Sequence, residues 1–104
     1  MSFVAEHRAG EGIRLFDRIS KSRLEIRVIK FSGTRSTRKA LIEVVNGREN
    51  SRHLISYDDK SKKNVTDNVY VGVTNTTRPT SQKVKLYYDV PKSYKIDVIH
   101  EIRE

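Results

Sequence analysis

The side chains able to do chemistry here are three histidines, a few carboxylates and many arginines and lysines; their spacing weighs catalysis against binding. His7, His53 and His100 are scattered, and no two stand at the i and i+4 spacing that presents paired imidazoles to a metal. They read as surface or packing residues. Asp58 and Asp59 are adjacent but sit in a lysine-rich stretch, so they read as solvated loop charge, whereas a general acid–base pair needs a pocket. Gly10 and Gly12 flank Glu11, whose charge would repel a phosphate, so they form no phosphate cradle. The chain has no cysteine, which excludes a thiol nucleophile, a thiolate zinc site and a disulfide framework. No serine lies in a nucleophile-elbow pattern. One enzymatic option survives, a metal-free basic ribonuclease working through His and Arg; His53→Ala or His100→Ala would abolish its cleavage of RNA in chelator. The expectation is a protein that is not an enzyme and needs neither cofactor nor metal.

Charge points to binding instead. Of 21 basic and 13 acidic residues in 104, ten basic residues fall between positions 8 and 39: Arg8, Arg14, Arg18, Lys21, Arg23, Arg27, Lys30, Arg35, Arg38 and Lys39. Only Glu11, Asp17 and Glu25 oppose them there, so nearly all of the net charge of +8 lies in under a third of the chain. Such asymmetry implies a polyanionic partner, bound more weakly as salt rises because releasing its counterions into more concentrated salt gains less free energy. RNA is the expected partner, with DNA not excluded. Tyr87, Tyr88 and Tyr94 lie close to Lys85, Lys92 and Lys95, the mixture that stacks bases and neutralises phosphates. Alternation makes Tyr88 a core residue and Tyr87 the freer one. The opposing reading is a small structural or interaction protein, for example of phage or viral origin, whose charge meets an acidic protein partner.

The elements that would position these residues are strands. Leu24, Ile26 and Val28 alternate with Glu25 and Arg27 in a period of two, and Ile29 and Phe31 then switch face, which predicts a bulge. Further strand-like runs are Ala40 to Val45, His53 to Tyr57, Val69 to Val73, Val84 to Tyr88 and Tyr94 to Ile99. Asn46-Gly47 is a hairpin signal; Ser32-Gly33 and Asp89 to Lys92 mark further reversals. Asp58 to Asn68 and Thr74 to Lys83 read as polar loops, and 46–83 as an insertion or loop-rich region. Short helical turns are expected at most over Val98 to Glu104 and Phe16 to Ser22. No internal repeat is visible. The expected fold is one all-β domain over 1–104, mostly antiparallel, a small barrel or sandwich. Its thin core at this length suggests help from a second subunit. No apolar run approaches the ~20 residues that cross a bilayer, and the opening MSFVAEHRAGEG turns charged after five residues, unlike a secretory leader. A soluble, cytoplasmic protein with no membrane partner is expected.

Both ends of the chain resemble the carbon storage regulator family of small RNA-binding translational regulators. Phe3 to Glu11 (FVAEHRAGE) is similar to that family's opening strand and its Arg-x-Gly-Glu turn, Ile13 to Asp17 to its second strand, and Arg23 to Gly33 to its third. Val84 to Val98 (VKLYYDVPKSYKIDV) resembles the fourth strand, the turn and the fifth strand, and Val98 to Arg103 the start of a short C-terminal helix. This register needs a large insertion around Thr34 to Lys83; a rival register lays the last two strands on Ala40 to Ile55, where Glu49 to Arg52 breaks the apolar alternation. Val98 and His7 stand where the family carries basic residues. The resemblance implies an intertwined homodimer, with the first strand of one subunit pairing with strands of the other beside the last strand. It implies an RNA-binding surface of Val4, Ala5, His7 and Arg8 with Pro91, Lys92, Tyr94, Lys95 and Ile96. Flanking phosphates would fall to Arg14, Arg18, Lys21, Arg23, Arg27, Lys30, Arg35, Arg38 and Lys39.

Overall fold

A computed structural model describes residues 1–33, 37–57, 62–66, 68–74 and 82–99. Nine strands form in chain order: β1 (Ser2–His7), β2 (Gly12–Asp17), β3 (Arg23–Ser32), β4 (Lys39–Asn46), β5 (Glu49–Ser56), β6 (Lys63–Thr66), β7 (Val69–Val73), β8 (Val84–Asp89) and β9 (Tyr94–Ile99). Two antiparallel sheets result, one ordered β1-β8-β7-β6 and one ordered β5-β4-β3-β2-β9. The expected all-β fold is therefore a sandwich. No described helix is long and apolar enough to cross a membrane.

Alternation builds the core. Ile13 and Leu15 from β2, Leu24, Ile26 and Val28 from β3, and Ala40, Ile42 and Val44 from β4 point inward together. They meet Val69, Val71 and Val73 of β7 and Val84, Leu86 and Tyr88 of β8 from the other sheet. The predicted change of face after Val28 is a bulge: Val28 pairs with Ile42, and Lys30, not Ile29, pairs with Leu41. That shift returns Phe31 to the core side opposite Ala40. The signalled β4–β5 hairpin forms one residue further on: Asn46 pairs with Glu49, so Gly47 and Arg48 make the two-residue loop, with Gly47 at the positive φ of 64° that its first position requires. Gly12 is fixed by space: a Cβ there would lie 1.8 Å from the Ile26 carbonyl oxygen.

Residues 46–83, expected as an insertion or loop-rich region that holds the strand-like runs His53 to Tyr57 and Val69 to Val73, supply β5, β6 and β7, and β7 is an interior strand of its sheet. Three local expectations are corrected. β6 lies inside the Asp58 to Asn68 stretch; a four-residue edge strand with one buried side chain, Val65, leaves almost no periodic signal. Phe16 to Ser22 is not helical: β2 continues to Asp17, and a turn follows. Of the expected C-terminal helix, Val98 and Ile99 belong to β9, and 100–104 fall outside the described residues, as do His100 and Arg35.

Candidate nucleic-acid interface

The outward face of the five-stranded sheet follows from the inward one. Because Ile13 and Leu15 are buried, Arg14 and Phe16 must face out. Register then sets their neighbours: Phe16 pairs with Arg23 of β3 on one side and Lys95 of β9 on the other, and Arg14 pairs with Glu25 and Asp97. Arg14, Arg23 and Lys95 are exposed, and Phe16 is half-buried. The Arg23 guanidinium carbon lies 5.8 Å from the centre of the Phe16 ring, a cation–π distance. Around them is an open depression of about 590 Å³, bounded by Val45 and Gly47 towards the β4–β5 hairpin.

More cations ring the end of this depression. The β2–β3 turn is held by Asp17, whose Oδ1 accepts the Ile19 N–H at 3.0 Å and whose Oδ2 accepts the Ser20 hydroxyl at 2.8 Å. The Ile19 backbone bond, with help from Ser20, holds the Asp17 carboxyl below its usual range, so it stays charged. Lys21 takes a left-handed φ of 63° and donates its N–H to the Asp17 carbonyl at 2.8 Å. The turn thus presents Arg18 and Lys21 beside an Ile19 that is 82% exposed. The Arg18 N–H donates to the Ser93 carbonyl at 3.0 Å, which brings the exposed Lys92 of the β8–β9 turn alongside.

Other expected phosphate contacts are placed differently. Arg27 is 7% exposed, ion-paired to Glu25, and donates from Nη1 to the Gly10 carbonyl at 2.5 Å. Arg38 is 5% exposed, lies 4.6 Å over the Phe31 ring, and donates to the carbonyls of Gly33 (2.9 Å) and Lys83. Burial lowers the Arg38 pKa. Both guanidinium groups tie loops to the sandwich, which withdraws them from the surface expected of them. Lys30 and Lys39 are exposed on the same outward face, towards its opposite end near Leu41.

The surface expected from the family resemblance is divided. β1 pairs with β8 of the same chain and β9 with β2, so the first and last strands lie in different sheets. Val4 is exposed on the outer face of the four-stranded sheet, while Ala5 packs on the core. His7 is fully buried, its Nε2 2.7 Å from the Tyr88 hydroxyl. Burial pushes that hydroxyl far above the usual phenol range, so it remains protonated. Arg8 is exposed at the β1–β2 turn, where its N–H donates to Glu11 Oε1 at 2.7 Å; the Arg-x-Gly-Glu motif closes a turn around Gly10 at φ 93°. Pro91 is half-buried, Tyr94 and Ile96 turn inward against the core, and of the residues expected on this surface Lys95 lines the depression, beside Asp97 of the same strand. Phe16 was absent from the expected set, although Ile13-x-Leu15 alternation alone puts it beside Arg14 on the open face. Among the described residues, no group of three or more His, Cys, Asp or Glu could hold a metal. No protein-family model, curated protein or solved structure matches the chain.

Proposed function

We propose that the protein binds single-stranded RNA without chemically altering it, on the outer face of the five-stranded sheet, and acts as a post-transcriptional regulator in the cytoplasm. The observation that carries this reading is Phe16 on an open face with Arg23 and Lys95 on its two flanks. A ring between two cations is the minimal unit for stacking a base while holding its phosphates. Arg14 extends the unit along β2, and Arg18, Lys21 and Lys92 carry the positive field past its end. Asp97, exposed beside Arg14, supplies an acceptor for exocyclic base amines, whereas Glu25 is held by Arg14 and Arg27. The resemblance of both chain ends to carbon storage regulators favours RNA over DNA. Filter binding with a labelled single-stranded RNA at low salt should show retention that falls steeply with salt. Phe16→Ala should weaken it by about 10- to 100-fold, the worth of one base stacked on an aromatic ring. No retention at low salt, or full retention by Phe16→Ala, refutes this site.

A second reading rests on the far end of the same face, where Leu54 is 51% exposed beside Leu41, with Lys30, Lys39 and Arg52 around them. That mixture suits an acidic protein partner. Binding lost in Leu54→Asp but retained in Phe16→Ala would select it.

A further inference from the structure

We propose that the outer edge of β9, beyond which no described strand pairs, docks a second copy of this chain, antiparallel about a two-fold axis through Ile96, to make one continuous ten-stranded sheet. Among the described strands, β9 ends its sheet and pairs only with β2. Five strands face four, and β9 is incompletely covered: Val98, on the core-facing side opposite Ile13, is still 44% exposed. An uncovered edge with an apolar row is a template for another strand.

Its sequence selects the partner and the register. A two-fold axis normal to the sheet requires that facing residues share a side, so the axis must pass through a residue. Centred on Ile96, the pairing sets Lys95 against Asp97 of the second copy, and Asp97 against its Lys95, both on the outward side. On the inward side Tyr94 comes to lie opposite Val98, covering the exposed valine, and Ile96 meets its own copy. Centring on Lys95 would oppose two lysines, and centring on Asp97 two aspartates, each destabilising across a strand pair. Among the other edges, β1 offers only Glu6 and His7 as ionisable groups, and a register centred on any of its residues pairs no opposite charges.

A single strand pair buries less than a standard interface, so the dimer is weak and depends on concentration. With neighbouring strands about 4.8 Å apart, the two β2 strands lie about 14 Å from each other across the axis. The row Arg23, Phe16, Lys95 would then run on into the second copy's Asp97 and Arg14, joining two depressions into one track. The inference stands apart from the RNA reading, because it is measured without nucleic acid.

Sedimentation of the wild type over a rising concentration series should show a monomer–dimer equilibrium. Asp97→Lys, and separately Lys95→Asp, places like charges opposite at both symmetry-related contacts and should weaken the dimer about tenfold. The double variant Lys95→Asp/Asp97→Lys restores opposite charges and should restore the dimer. Circular dichroism confirms that each variant is folded. The chain has no cysteine, so Ile96→Cys gives a clean second measurement: mild oxidation should link two chains through that residue. A wild type that stays monomeric, a double variant as weak as the singles, or a folded Ile96→Cys that does not cross-link overturns the proposal.

Discussion

The two outer faces of the sandwich use the same residue types and differ in what those residues are bonded to. On the four-stranded sheet Lys62 crosses over Gly72, its ammonium 5.5 Å from the Tyr70 ring and 5.7 Å from the Tyr87 ring, and pairs with Asp89. The hydrogen bond to Asp89 raises the Lys62 pKa, and its reciprocal lowers that of Asp89. Cation, rings and carboxylate satisfy one another. On the five-stranded sheet Phe16 is flanked by cations on both sides, and the nearest carboxylates, Glu25 and Asp97, pair across the strands with Arg14. Aromatic and basic residues close together are thus no site by themselves. The position of the nearest carboxylate decides which mixture is left to meet a ligand.

The largest expected effect separates buried from open arginines: Arg38→Ala should cost about 3 kcal/mol in urea unfolding, because charged hydrogen bonds to two loop carbonyls are lost. Arg23→Ala should change stability by less than about 0.5 kcal/mol. If the two unfold alike, the division between structural and open arginines fails. Next in size is salt dependence. Arg23→Ala and Lys95→Ala should each flatten the log–log slope of RNA affinity against salt by about 0.7, the value for one single-strand phosphate contact. Lys62→Ala should leave that slope unchanged. The smallest effect is a titration. Asp89 favours its charged form, so the folding stability it contributes is present above its unfolded value near 3.8 and is lost as pH falls through its lower folded value. NMR should place the Asp89 midpoint below 3.8 in the wild type and nearer 3.8 in Lys62→Ala; equal midpoints would show that the pair is not formed.

Strand content and facing were legible because they rest on period-two burial. Leu24, Ile26 and Val28, the bulge after Val28, the β4–β5 hairpin and the core position of Tyr88 all follow from alternation and turn chemistry. β5 was legible only at its end: Glu49 to Arg52 are exposed on an edge strand, and only Ile55 is fully buried. Partners were harder to read. Little local distinguishes Arg27 or Arg38, buried on loop carbonyls, from Arg14 or Arg23, because, apart from the nearby Gly33 carbonyl on Arg38, the acceptors on Gly10 and Lys83 lie far away in sequence. The candidate site depended on the same long-range information. β2, β3 and β9 must come together before Phe16 acquires both flanking cations.

The pairing of β1 with β8 also sets a clock. His7 and Tyr88, hydrogen-bonded in the core, stand 81 positions apart in the chain. At ribosomal speeds of about 5–20 residues per second, β1 waits roughly 4–16 s for its neighbour to be made. The β2–β3–β4–β5 meander can meanwhile pair locally, while β1 remains an unpaired strand in the nascent chain. Completion of this fold therefore waits until residue 89 has been made, and a chain halted before that point would leave β1 without its partner strand.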